Sequence, residues 1–151
     1  MGIERWLDYI SFGETGTGGC SNGDSRIHCV KAAWNLESED FRVSLLKHEA
    51  QHAMDQARYK DITNKELEYR AKLVELIYSK ERRMLERFVS QADATRADNG
   101  HGLSAEHIVR GFEICLKKDR GRLAGLPIET VQTVARSLFA ESCKEMAAKY
   151  R

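Results

Sequence analysis

The chain has 151 residues, 42% hydrophobic and 31% charged, a balance that suits one soluble domain with its own core and excludes a disordered segment. Its 24 basic and 23 acidic side chains leave a formal net charge of +1, so composition gives no electrostatic footprint for nucleic acid or an anionic membrane surface. No window approaches the roughly 20 apolar residues of a membrane-spanning helix, and Met1 to Trp6 opens no secretory leader.

Arg5 to Ile10 reads as a helical turn or a strand. Residues 11 to 26 hold Gly13, Gly16, Gly18, Gly19 and Gly23 among Thr, Ser, Asn and Asp, which is loop chemistry. The short run Ile27 to Trp34 is bounded by polar turns and predicts a strand. From Ser38 the pattern turns helical. Ser38 suits an N-cap, Glu39 and Asp40 suit the first turn, and Phe41, Leu45, His48, His52 and Asp55 share one face of a helix reaching about Tyr59. Thr63 with Glu66 forms a capping box that opens one long helix from Asn64 to about Val89, with Leu67, Ala71, Val74, Tyr78, Leu85 and Phe88 as its inward stripe. Gln91 to Leu103 breaks the pattern, Ser104 is read as the cap of a helix to about Lys118, and Pro127 opens a last helix to Tyr150. The expected class is α+β, predominantly helical, with a small N-terminal sheet followed by about four helices. One domain over 1–151 is expected: a loop and strand region at 1–36, two helices carrying the chemistry at 37–90, and C-terminal helices at 91–151.

Cys20, Cys29, Cys115 and Cys143 form no Cys-x-x-Cys pair and read as reduced thiols, with a Cys20–Cys29 disulfide as the alternative in an exported protein. The glycine-rich loop lacks the preceding strand and following helix of a phosphate cradle. His28 and His107 read as structural, Tyr69 and Tyr78 as core-edge aromatics, and the Lys80–Arg83 and Lys117–Arg122 runs as solvated helix surface.

The chemistry lies in His48-Glu49-Ala50-Gln51-His52. Four residues advance a helix by about 6 Å and return nearly to the same azimuth, so two imidazoles can bite one tetrahedral ion. Glu49 sits about 100° around the helix, where its carboxylate reaches a metal-activated water rather than the metal. The motif points to one zinc ion and to Glu49 as general base. His101, expected in a loop between Gly100 and Gly102, is a candidate oxyanion donor, with a solvated loop histidine as the bland alternative. Asp55, one turn past His52, is either a second-layer acceptor for a ligand imidazole or a local partner for Arg58 or Tyr59.

The motif, the expected strand before it and Glu68-Tyr69-Arg70-Ala71 after it together resemble the gluzincin-type zincin metallopeptidases, over roughly residues 27 to 78. The resemblance implies a zincin-like fold, His48, His52 and Glu68 as metal ligands, Glu49 as base, and the flanking strand as the edge on which an extended peptide or protein substrate lies. Lys72 departs from the Asp that many members carry after Ala, and the 15 residues between His52 and Glu68 make a short connection. The metzincin branch needs Gly at 55 and His at 58, where this chain has Asp55 and Arg58. Glu75, two turns beyond Glu68 on one face, is the rival third ligand. The expected function is zinc-dependent peptide hydrolysis. The alternatives are a non-catalytic metal-binding or protein-interaction domain, and a metal-free helical domain in which the motif is coincidental.

Overall fold

The computed structural model describes residues 19–21, 27–96 and 98–150. The element expected at Arg5 to Ile10 and most of the glycine-rich stretch lie outside them. Strand β1 (Gly19–Ser21) pairs antiparallel with β2 (Ile27–Cys29), with Cys20 opposite His28. Three residue pairs make a hairpin stub, not the N-terminal sheet of an α+β domain. The expected class is therefore corrected: the fold is helical. The strand expected over 27–34 ends at Cys29 and gives way to a 3-10 turn, Lys31–Ala33, because a short apolar run bounded by turns carries no periodicity that singles out a strand. Cys29, Cys115 and Cys143 are free thiols.

Ser38 accepts from the Phe41 backbone N–H at 3.1 Å and starts the first helical segment. That segment, Asp40–Lys47, is π-helical rather than α-helical. It runs without a break into helix α1 (His48–Arg58), and the His48 N–H reaches back five residues to the Val43 carbonyl. A π segment adds a residue per turn and rotates everything downstream, and such segments recur at functional sites. Here it ends at the first motif histidine.

Helix α2 (Asn64–Tyr78) opens on the expected capping box: Thr63 Oγ1 accepts from Glu66 N, and Glu66 Oε2 accepts from Thr63 N at 3.0 Å. The long helix expected to Val89 stops at Tyr78, and helix α3 (Arg83–Gln91) follows. The break is held from a distance in sequence. Glu39 Oε1 accepts from Ser79 Oγ at 2.8 Å, Lys80 N at 2.6 Å and Glu81 N at 3.3 Å, capping the freed N–H groups. Helix α4 (Gly100–Leu116) starts four residues before the expected Ser104 because Asn99 caps it, accepting from Gly102 N at 2.8 Å. His101 thus lies in a helical first turn rather than a loop. Lys117, at φ 50°, ends α4 in the left-handed conformation, and helix α5 (Ile128–Lys149) follows Pro127. Lys117 to Arg122 is accordingly a connector, with Arg120 bonded back to Glu106 at 2.8 Å.

The core joins Leu73 and Leu76 of α2, Met84, Leu85 and Phe88 of α3, Ile108, Val109 and Phe112 of α4, and Val131, Ala135 and Leu138 of α5. Gly111 lets α4 meet α5: a Cβ there would stand 2.9 Å from Leu138 Cδ1. Helix α2 is central, with every residue from Leu67 to Leu76 buried, so the single inward stripe expected for it is too narrow. Tyr78, placed in that stripe by its spacing, is 53% exposed beneath Lys47 Nζ. Among the described residues no helix is long and apolar enough to cross a membrane.

Candidate metal centre

A helix buried on all sides that carries Glu68, Arg70, Lys72 and Glu75 must find a partner for each charge. Arg70 turns toward α1 and α5. Its Nε donates to Asp55 Oδ2 at 2.7 Å, its Nη1 donates to Ser142 Oγ at 3.0 Å, and the guanidinium lies 4.6 Å from the Phe139 ring centroid. Asp55 is thus neither an acceptor for a ligand imidazole nor an i,i+3 or i,i+4 partner. It anchors the motif helix to α2. Lys72 lies over the Phe88 ring at 4.7 Å and donates to Gln91 Oε1 at 3.4 Å.

Glu68 and Glu75 face α1. His48 Nδ1 donates to Glu75 Oε1 at 2.7 Å, which leaves His48 Nε2 pointing the other way, 3.6 Å from Glu68 Oε2. His52 Nε2 stands 3.6 Å from the other oxygen, Glu68 Oε1. The two imidazoles are 4.5 Å apart, centroid to centroid. The ligand atoms of His48, His52 and Glu68 all lie within 4.8 Å of one another, so these three could hold a metal ion. The rival carboxylate, Glu75, is occupied on the far nitrogen of His48.

The 3.6 Å separations are decisive in size. They are too long for hydrogen bonds, yet close to the edge of a tetrahedron of ligands, about 3.3 Å for metal–ligand bonds of roughly 2.0–2.1 Å. In keeping with this, His52 Nε2 is buried with no hydrogen-bond partner. An orphaned ring nitrogen in a buried pocket carries a desolvation cost that a cation shared with Glu68 would offset.

The electrostatics of Glu68 and His52 suit the same role. Burial works against ionisation of Glu68, but His101, His48 and His52 outweigh it and bring the carboxyl down to about 2. Burial, then the neighbouring His48, push His52 down to about 4, so it is neutral and able to ligate near neutral pH. Burial also pushes His48 down, yet the hydrogen bond to Glu75 and the charges of Glu75 and Glu68 win, leaving it above its ordinary 6.5. Glu49 Oε2 lies 3.8 Å from His52 Nδ1 with a side chain 14% exposed. His101 is 40% exposed, and its Nδ1 sits 2.9 Å from Glu68 Oε2 in ion-pair contact. Gly100 admits this approach, since a Cβ there would stand 2.6 Å from Asn64 Nδ2 and 4.0 Å from Glu68 Cγ.

All five residues singled out in the sequence, His48, Glu49, His52, Glu68 and His101, therefore fall in one neighbourhood. Two roles were illegible there: Glu75 as the orienting partner of His48, and Arg70 as the anchor of Asp55. An apolar run that surrounds α2's charges on every side is the signal that those charges are buried and paired. Comparisons with family models, curated proteins and solved structures returned no match for this chain.

Proposed function

We propose that this chain is a zinc-dependent metallopeptidase of the gluzincin type, with His48, His52 and Glu68 as the metal ligands. The observation that carries the reading is the buried, partnerless His52 Nε2 within a three-ligand cluster of His48, His52 and Glu68. When bound, the ion would supply Lewis acidity and bring the pKa of a water toward about 7. The rest is the work of side chains. Glu49 takes a proton from the attacking water and passes it to the departing amine of a peptide or protein substrate. Glu75 holds the His48 ring with Nε2 facing the ion, as an outer carboxylate does for a ligand histidine. His101, exposed at the edge of the cluster, donates to the oxyanion that develops on the scissile carbonyl.

One observation favours the non-catalytic alternative: His101 lies against Glu68, where it would close the position that a substrate needs. Metal analysis of purified protein, followed by peptide-library cleavage with and without chelator, tests the reading. One zinc per chain and chelator-sensitive cleavage are expected. Glu49→Gln should keep the metal and lose turnover by a factor of at least about 100. A protein that binds zinc but cleaves nothing, with or without His101→Ala, leaves the metal-binding module. One that binds no metal removes both.

A further inference from the structure

A second cavity lies on another side of α2, between it, α4 and α5. Its volume is about 450 Å³, within the range of small-molecule sites, and its lining includes Lys65, Tyr69, His107, Ser142, Glu145 and Met146. His107 stacks on Tyr69, ring centroids 4.3 Å apart and planes at 20°, giving the cavity an aromatic wall. Lys149 and Glu66, also in the lining, neutralise each other at 2.6 Å. Lys65 of α2 and Glu145 of α5 do not: neither has an ion-pair or hydrogen-bond partner among the described residues. Both nevertheless line the cavity together with that stack. Ser142 Oγ already accepts from Arg70, so its hydroxyl hydrogen remains available.

The geometry points to a binding site for a small zwitterion, an amino acid or dipeptide with both termini free: the carboxylate at Lys65, the ammonium at Glu145, and an apolar side chain against Met146 and the Tyr69–His107 wall. A simple anion would satisfy Lys65 but face Glu145, and a simple cation the reverse, so a ligand carrying both charges matches the lining. The site does not rest on the metal centre, because none of its lining residues belongs to that cluster.

Calorimetric titration with glycyl-leucine tests it, in EDTA, on the wild-type chain and on Glu68→Gln so that the metal centre is disabled. Saturable binding is expected in both. Acetylating the amine or amidating the carboxylate should weaken it about tenfold or more. Lys65→Met should remove the penalty for amidation and Glu145→Gln that for acetylation, and both residues are exposed, so neither change threatens the fold. Absence of binding, equal binding of the doubly blocked dipeptide, or indifference to both substitutions would overturn the proposal, whatever the metal content proves to be.

Discussion

Glu75 Oε1 lies 2.7 Å from His48 Nδ1, so the carboxylate weighed as a rival ligand holds the imidazole from behind instead. The distinction separates the two glutamates of α2 experimentally. Glu75→Gln keeps an acceptor for Nδ1–H and should lower metal affinity about 10–100-fold, the usual cost of losing an outer carboxylate. Glu68→Gln should abolish stoichiometric binding. Competition with a chromogenic chelator measures both, and equal effects of the two changes would contradict the assignment.

The Asp55–Arg70 pair should matter to the fold more than to the chemistry. Both side chains are almost fully buried, at 3% and 4% exposure, and 2.7 Å apart. Removing one partner strands a buried charge. Arg70→Met and Asp55→Leu should each cost about 3–5 kcal/mol, and the double variant much less than their sum. Urea unfolding of the three variants provides the cycle.

Glu39→Ala removes the acceptor shared by Ser79, Lys80 and Glu81. The expected loss is about 1–2 kcal/mol, with hydrogen-exchange protection falling first at the start of α3. If the exchange pattern there is unchanged, Glu39 does not define the break between α2 and α3.

Glu66 supplies a pH test away from the metal. Burial raises its carboxyl, but hydrogen bonds from Lys149, Thr63 and Tyr150 prevail and bring it from 4.5 to about 2. A depressed carboxyl stabilises the fold in its ionised form, so the gain is fully present above pH 4.5 and is lost as pH falls toward 2. Solvent screening holds the gain to about 1 kcal/mol. Glu66→Gln, which can still form the capping box, should be less stable than wild type at pH 6 and equal to it near pH 2. A difference that does not vary with pH would point to the cap rather than the charge.

The local signals in the sequence were those with a fixed period or a fixed spacing. The capping box at Thr63 and Glu66, the proline before α5 and the i,i+4 histidines of α1 each depend on neighbours within one turn, and the chain alone specifies them. Where a contact joins distant residues, the reading failed. Nothing near Ser79 signals that α2 must end there, because its cap comes from Glu39. Ser104 looked like a helix start because Asn99, which does the capping, sits inside a polar run. The strand expected over Ile27 to Trp34 ends at Cys29 and gives way to a 3-10 turn.

Residue identity and helical spacing were enough to nominate His48, Glu49 and His52, and the gluzincin resemblance added Glu68. Only the packing of α2 against α1 and α4 decided which nitrogen meets which carboxylate, drew His101 against Glu68 and turned Glu75 behind His48. Spacing along a helix fixes an azimuth and a height, whereas the choice between two carboxylates on one face depends on the angle and register at which a second helix crosses the first. That is set by the whole core and by no local run of residues.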